Sequence, residues 1–137
     1  MIGVVVVAHL DIGLEMVKAT QNIIPEAVNF KGISVQQNEP PASIREKIEG
    51  VLKEFNRYDG VLILTDMFGG TPSNVCLSFL SQPKLEVVSG VNLPMLIKLA
   101  SYSKDHSIDN VIKFIQEYGQ KNIVIASHIL DGHTSHE

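Results

Sequence analysis

One histidine and one aspartate, each placed where an apolar run stops, are the side chains best suited to chemistry in this sequence. His9 follows the apolar residues 2–8, and Asp66 follows a second apolar run at residues 60–65. Each run has the length of a β-strand. An aspartate that accepts a hydrogen bond from one imidazole nitrogen fixes the tautomer and leaves the other nitrogen unprotonated and nucleophilic. His9 and Asp66 are therefore candidates for a catalytic nucleophile and its orienting partner.

The turn that follows the second apolar run suits the binding of a phosphoryl group. Gly69 and Gly70 permit backbone conformations that other residues disfavour, and they allow a ligand to approach the main chain. Thr71 suits the N-cap of a helix, and Pro72 suits the first helical position. Free N–H groups at a helix start favour a phosphate or a carboxylate, and Gly69, Gly70 and Thr71 are predicted to bind a phosphoryl group that is bonded to His9. Phe68 is a candidate lid that shields this group from water.

Length and composition indicate one ordinary globular domain. The chain has 137 residues, of which 45% are hydrophobic and 19% charged, and its formal net charge is −4. Residues 1–130 are predicted to form the domain, and residues 131–137 to form a flexible tail. No segment reaches the roughly 20 apolar residues that a membrane helix needs, so we expect a cytoplasmic protein without direct membrane insertion. The absence of clustered lysine and arginine argues against nucleic acid as a partner.

Strands and helices alternate along the chain. Apolar runs without alternation predict strands that are covered on both faces, and the segments between them keep helical spacing. The five predicted strands are residues 2–8, 30–36, 60–65, 85–89 and 122–129. This alternation predicts an α/β fold with a doubly wound, mainly parallel sheet.

The order of the strands decides whether His9 and Asp66 meet. In a flavodoxin-like order, 2-1-3-4, the first and third strands are neighbours, and ligands bind beyond the carboxyl ends of the strands where the order reverses. His9 and Asp66 end those two strands, so we expect them to face each other at this crevice.

The same residues give the sequence a resemblance to a known family. The resemblance lies in His9 after an N-terminal apolar strand, in residues 66–74 with the sequence Asp-Met-Phe-Gly-Gly-Thr-Pro-Ser-Asn, and in residues 90–96 with the sequence Gly-Val-Asn-Leu-Pro-Met-Leu. Together these segments closely resemble the mannose-family enzyme IIA of the bacterial sugar phosphotransferase system. The resemblance extends over residues 1–130.

This resemblance implies a role for each candidate residue. In the family, the histidine that matches His9 takes a phosphoryl group from the phosphocarrier protein HPr. It passes the group to a histidine of a IIB component, which phosphorylates sugar during uptake. The aspartate that matches Asp66 orients the histidine, and the hydroxyl residue that matches Thr71 contacts the phosphoryl group. The chain is thus expected to be a phosphotransferase that acts as a phosphoryl carrier.

The resemblance also implies an assembly. The family sheet carries an antiparallel edge strand that is exchanged between the two subunits of a homodimer, and we assign residues 122–129 to this strand. The sequence departs from the family at one point beside the histidine. Leu10 and Asp11 follow His9, where the family usually has glycine or another small residue.

Other functions stay open at the level of sequence. A regulatory module of the same fold would be phosphorylated, or would bind an anion, at the same crevice without feeding a transporter. A receiver domain phosphorylated on Asp66 would need acidic residues at the end of the first strand, where the sequence reads Ala8-His9-Leu10. A hydrolase built on Ser73 would need a Gly-x-Ser-x-Gly turn, which the sequence lacks.

Neither a metal nor an organic cofactor is expected. Donor and acceptor are both phosphohistidines in the implied transfer, so positioning and hydrogen bonds can carry the charge. The single cysteine, Cys76, excludes an internal disulfide and is expected to be a buried, inert thiol. The remaining histidines are interpreted as solvated residues, because no strand or helix is predicted to hold them at metal-ligand geometry: His106, His128, His133 and His136.

Overall fold

The computed structural model describes residues 1–131 and shows strands alternating with helices. The elements are β1 (Ile2–His9), α1 (Ile12–Ile23), β2 (Phe30–Val35), α2 (Pro41–Glu54), β3 (Gly60–Thr65), α3 (Thr71–Leu77), β4 (Leu85–Ser89), α4 (Leu93–Tyr102), α5 (Ile108–Lys121) and α6 (Ala126–Leu130). The predicted tail at 131–137 lies outside the described residues except for Asp131, which ends a turn. The division of the chain at residue 130 therefore stays a prediction.

The four strands form one parallel sheet in the order β2-β1-β3-β4, which confirms the predicted flavodoxin-like α/β fold. β1 is central, and its residues Val4 to Val7 are fully buried because helices cover both faces of the sheet. Val4 and Val6 pack with α1, α4 and α5 on one face. Val5 and Val7 pack with α2 and α3 on the other.

The pairing register brings the ends of β1 and β3 to one edge of the sheet. Val7 of β1 lies opposite Thr65, the last residue of β3. His9 is the last residue of β1 and Asp66 directly follows Thr65, so both lie at the carboxyl ends of neighbouring strands. The reversal of strand order between β1 and β3 leaves a crevice at this edge, where parallel α/β sheets bind ligands.

Two glycines let α1 begin very close to the sheet. A Cβ atom added at Gly13 would lie 2.7 Å from the carbonyl oxygen of Val6 and 3.1 Å from that of Ile33. A Cβ atom at Gly32 would lie 2.6 Å from the carbonyl oxygen of Gly13. Backbone atoms cannot yield as a flexible side chain can, so this contact fixes the start of α1 beside the end of β1.

Replacing Gly13 with alanine is expected to lower the free energy of unfolding by about 2 kcal/mol, because the added methyl group overlaps the backbone of two strands. Gly50, in α2, is the matched control, since a Cβ atom there would meet nothing within 4 Å. Gly50→Ala is expected to raise the free energy of unfolding by up to about 1 kcal/mol through helix propensity alone. Urea denaturation measures both variants. A Gly13→Ala protein as stable as the wild type would contradict the close contact.

The predicted fifth strand at residues 122–129 does not form within the described chain. Residues 122–125 have no regular structure, and residues 126–130 form the short helix α6. A strand needs a neighbour to satisfy its ladder of hydrogen bonds, and this segment does not pair with β4 of its own chain. Ile123, Val124 and Ile125 are consequently 79%, 60% and 60% exposed. Their apolar, β-branched pattern, which predicted the strand, is present but unpaired.

Across residues 1–131, none of the helices combines the length and apolar character needed to cross a membrane.

Candidate functional site

His9 and Asp66 meet at the carboxyl edge of the sheet. The distance from His9 Nδ1 to Asp66 Oδ2 is 2.8 Å, and the His9 backbone N–H donates to the same oxygen at 3.1 Å. The His9 side chain is 43% exposed and the Asp66 side chain 17% exposed. The carboxylate thus contacts both the ring and the main chain of His9, and the ring stays partly open to solvent.

This contact defines the tautomer of His9. The Asp66 carboxylate only accepts hydrogen bonds, so Nδ1 carries the proton and Nε2 keeps its lone pair in the neutral ring. A Cβ atom added at Gly70 would lie 3.8 Å from Nε2 and 3.7 Å from Cε1. The unprotonated nitrogen is therefore adjacent to the glycine turn, which is where a group bonded to it would lie.

Asp66 is held in its ionised form. Burial raises the pKa of the Asp66 carboxyl. This effect is outweighed by hydrogen bonds from the His9 ring and the His9 backbone, by the charge attraction of the ring, and by a backbone hydrogen bond at Asp66 itself. The resulting pKa is below the usual value. The second oxygen, Oδ1, accepts a hydrogen bond from the Met67 N–H at 3.1 Å, so both carboxylate oxygens are engaged. An ionised, oriented carboxylate stabilises positive charge on the imidazole.

The glycine turn adopts the conformations that only glycine adopts readily. The φ angles of Gly69 and Gly70 are +90° and +84°. The predicted helix start is displaced by one residue: Gly70 holds the N-cap position, Thr71 is the first helical residue and Pro72 the second. The first intrahelical bond runs from Asn74 N–H to Gly70 O at 3.0 Å. The N–H groups of Gly69, Gly70 and Thr71 have no hydrogen-bond partner within residues 1–131.

The turn at residues 90–96 supports the site from behind. The N–H groups of Gly90 and Val91 donate to the carbonyl oxygen of Thr65 at 2.9 and 3.0 Å. The hydroxyl of Thr65 donates to Ser89 Oγ at 2.8 Å. Asn92 then caps α4 by accepting from the Met95 N–H at 3.1 Å. These bonds fix the end of β3, the residue before Asp66, and so this segment acts as scaffold.

A cavity of about 400 Å³ lies beside His9 and brings in residues that sequence reasoning missed. His9, Leu10 and Thr71 form one side. The other side is the loop between β2 and α2, which contributes Gln36, Gln37, Asn38 and Glu39. The sequence marked this loop only as a turn, because its amide residues carry no periodicity that points to the crevice.

A buried carboxylate holds this loop in place. Glu39, whose side chain is 7% exposed, accepts hydrogen bonds from the Gln36 N–H at 2.8 Å and the Ser43 hydroxyl at 2.7 Å. Lys47 Nζ lies 2.9 Å from Glu39 Oε2 and also donates to the Ser34 carbonyl oxygen at 3.0 Å. The hydrogen bond from Ser43, then those from Gln36 and Lys47, lower the pKa of Glu39 to about 2.

The stability of the fold should depend on pH through Glu39. Because the pKa is about 2 in the folded chain and ordinarily 4.5, the ionised carboxylate stabilises the fold above pH 4.5 and stops doing so as the pH falls through 2. Glu39→Gln is expected to cost about 1 to 2 kcal/mol at pH 7, with allowance for screening by solvent. Chemical denaturation across this pH range tests it. Parallel stability curves for the two proteins between pH 7 and pH 2 would refute the assignment.

Three other residues singled out from the sequence differ in their surroundings. Phe68 is 74% exposed and does not line the cavity beside His9. Ser73 is fully buried, so it offers no accessible nucleophile for hydrolysis. Cys76 is fully buried, and burial raises the pKa of its thiol to about 12.

Within residues 1–131, no three histidine, cysteine, aspartate or glutamate side chains are grouped to hold a metal, and His133 and His136 lie outside the described residues.

Known proteins with similar sequences are components of a sugar phosphotransferase system. A family model described as PTS system fructose IIA component, where PTS denotes the phosphotransferase system, matches residues 3–116. The PTS system fructose-specific EIIA component of Bacillus subtilis (strain 168) is 26% identical over 132 residues, which cover 96% of this chain and 90% of that protein. The PTS system mannose-specific EIIAB component of Escherichia coli (strain K12) is 27% identical over 89% of this chain. The match spans 38% of that longer protein.

A solved structure of a phosphotransferase-system protein has a similar fold. The mannose/sorbose-specific IIA subunit of the phosphotransferase system from Enterococcus faecalis superposes with a TM-score of 0.80 at 27% identity. The match covers 90% of this chain and 92% of that one. A family model that spans most of the sequence and a closely similar fold agree with each other, and so the chain belongs to the mannose family of IIA components of the sugar phosphotransferase system.

Proposed function

We propose that this chain is a phosphohistidine carrier that takes a phosphoryl group from HPr on His9 and passes it to a IIB component. The observation that supports it most directly is the 2.8 Å contact between His9 Nδ1 and Asp66, because it leaves Nε2 as the free nucleophile beside the glycine turn. Nε2 attacks the phosphorus atom of the donor phosphohistidine. A nitrogen–phosphorus bond forms on His9 while the corresponding bond in the donor breaks, and its electron pair returns to the donor imidazole.

The surrounding groups stabilise the charge that moves. Bond formation makes the His9 ring cationic, and the ionised Asp66 stabilises that charge. The free N–H groups of Gly69, Gly70 and Thr71, with the Thr71 hydroxyl, bind the phosphoryl oxygens. Phe68, on the same turn, closes over the group when the partner docks and excludes water. Transfer onward is the same exchange in reverse, with a histidine of IIB as the acceptor.

The reaction needs neither metal nor organic cofactor in this scheme, because both partners present phosphohistidine and the chemistry depends on positioning. The carrier works in the cytoplasm, where it would meet HPr. The sugar is selected by the membrane components to which IIB delivers the group. If the chain instead had a regulatory role, it would accept the phosphoryl group from HPr but would not transfer it to IIB.

Intact-mass spectrometry after incubation with enzyme I, HPr and phosphoenolpyruvate tests the proposal. We expect a mass gain of one phosphoryl group that is lost in acid and kept in base, as for a phosphoramidate. Addition of the IIB component should then discharge it. No gain in the presence of an HPr known to be phosphorylated would refute the carrier function. A gain that persists with IIB would favour the regulatory variant.

We also infer that the protein forms a homodimer by exchange of residues 122–129. The sheet ends at β4, whose outer edge has no neighbouring strand within residues 1–131. A cavity of about 550 Å³, away from His9, runs along this edge and is lined by Val87, Ile112 and Ile123. The exposed run at residues 123–125 has the β-branched composition of a strand. Pairing it with β4 of a second copy would provide hydrogen-bond partners for the backbone groups of both segments.

Sedimentation velocity distinguishes the dimer from a monomer. The wild type should sediment as a dimer, and Val124→Lys should shift it to a monomer by placing a charge in the exchanged strand. Leu130→Lys is the matched control, because Leu130 is 84% exposed and lies beyond the exchanged segment. A monomeric wild type, or equal dimerisation of the two variants, would exclude strand exchange through residues 122–129.

A further inference from the structure

Leu10, the residue after His9, has a backbone conformation that disfavours leucine. Its φ angle is +51°, in the left-handed region that glycine and asparagine tolerate. Two other non-glycine residues in the described chain have positive φ, Asn38 and Lys84. The left-handed turn is itself useful, because it sends the chain from β1 to α1 within two residues. That geometry would be met with less strain by glycine or asparagine.

Packing within the chain does not compensate for this strain. The Leu10 side chain is 54% exposed, so burial stabilises it little. The Leu10 N–H donates to the Val35 carbonyl oxygen at 2.7 Å, and the Val35 N–H donates back at 3.3 Å. Both bonds use main-chain atoms that every non-proline residue has. The described chain thus gives no reason for a leucine here, and a strained residue beside a reactive one indicates a functional role.

The surroundings of Leu10 indicate what its side chain contacts. Leu10 lines the same cavity as His9 and Thr71. Two more apolar side chains, Met67 and Phe68, are 53% and 74% exposed on the turn that carries Asp66. Leu10, Met67 and Phe68 are thus exposed apolar residues in the short segments that follow His9 and Asp66 in the chain. Exposed apolar side chains next to reactive residues are typical of a surface that docks another protein.

The charges at the site specify the partner further. Glu39 and Asp66 are acidic, and within residues 1–131 no lysine or arginine lines the cavity beside His9. The phosphoryl group is itself negative, so a partner with a cationic side chain beside it would complement this site. The occupant is therefore a phosphohistidine protein that presents an apolar surface and a cationic side chain next to its phosphorylated ring.

We propose that Leu10 is a specificity residue that anchors the phosphoryl donor, with its side chain in apolar contact with the donor surface beside the donor histidine. The inference rests on the proposed function, in which the donor is HPr. The left-handed leucine destabilises the fold, and in this proposal its side chain compensates by contributing to the binding of HPr. Removing the side chain should weaken docking and leave the reacting groups unchanged.

The initial rate of phosphoryl uptake, measured against the concentration of phosphorylated HPr, tests this role with two variants. Leu10→Gly and Leu10→Asn both suit positive φ and remove the apolar contact. Each is expected to raise the melting temperature while raising KM about tenfold with little change in kcat. Lys84→Gly relieves a positive φ far from His9 and is expected to raise the melting temperature with KM unchanged.

A KM within twofold of the wild type for Leu10→Gly would overturn the proposal, as would an equal rise in KM for Lys84→Gly. Calorimetric binding of unphosphorylated HPr separates this inference from the proposed function. A wild type that binds HPr but takes up no phosphoryl group would contradict the carrier function alone. Equal HPr affinity in the wild type and Leu10→Gly would contradict the role of Leu10 alone.

Discussion

Replacing His9 with glutamine is expected to reduce phosphoryl uptake from phosphorylated HPr to background. Glutamine keeps a polar side chain of similar reach but has no nitrogen with a nucleophilic lone pair, so no covalent phosphoryl carrier can form. The His9 side chain is 43% exposed, and its loss should change the free energy of unfolding by less than about 1 kcal/mol. Intact-mass spectrometry and thermal denaturation measure the two effects separately.

His106→Gln is the matched control for this experiment. The His106 ring is also held through Nδ1, which lies 2.9 Å from the Tyr102 carbonyl oxygen and 2.8 Å from Asp105 Oδ1. Within residues 1–131, its second nitrogen likewise has no hydrogen-bond partner, and no glycine turn with open N–H groups accompanies it. Uptake by His106→Gln should equal that of the wild type. Phosphorylation that survives in His9→Gln and disappears in His106→Gln would transfer the carrier role to the other histidine.

Replacing Asp66 with asparagine is expected to slow phosphoryl uptake by about 10²- to 10⁴-fold. In the wild type, one carboxylate oxygen accepts from both the His9 ring and the His9 backbone. If the asparagine turns its NH₂ group toward Nδ1, it favours the tautomer of His9 that carries its proton on Nε2. In that tautomer Nε2 has no lone pair with which to attack phosphorus. The substitution also removes the negative charge that stabilises the cationic ring.

Rapid-quench measurement of a single phosphoryl transfer gives this rate without interference from later steps. Asp59→Asn is a suitable control, because Asp59 precedes β3 at the opposite end of the sheet and its side chain pairs with the terminal amino group of Met1. Its transfer rate should match the wild type. An Asp66→Asn rate within threefold of the wild type would show that the carboxylate does not orient His9.

The position of His9 against Asp66 could be predicted because it depends on strong, local signals. The runs that became β1 and β3 are continuous and β-branched or apolar, so their ends are marked sharply by the first ionisable residue, His9 or Asp66. Alternation with helices restricts the sheet to parallel pairing, and the strand order then makes these ends neighbours. The ends of the two runs lie within single elements, so a sequence pattern records them directly, and the assumed flavodoxin-like order is the one that the structure has.

Other parts of the site depend on contacts that no such pattern records. Glu39 anchors the loop beside His9 through Ser43 and Lys47, and its burial follows from how that loop folds back onto α2. The left-handed conformation of Leu10 belongs to a residue type that normally avoids it. The segment 122–129 is the converse case. Its composition suits a strand, but within its own chain it does not pair with the edge of the sheet.

The burial of Cys76 makes the protein well suited to optical measurements of partner docking. It is the one cysteine in the sequence, it is fully buried, and its thiol pKa of about 12 leaves almost no thiolate at neutral pH. A cysteine introduced at the exposed position of Phe68 would therefore react selectively with a fluorescent maleimide. The sequence also contains no tryptophan, so Phe68→Trp would supply a single indole signal. Either label would report the arrival of a partner at the His9 crevice from one defined position.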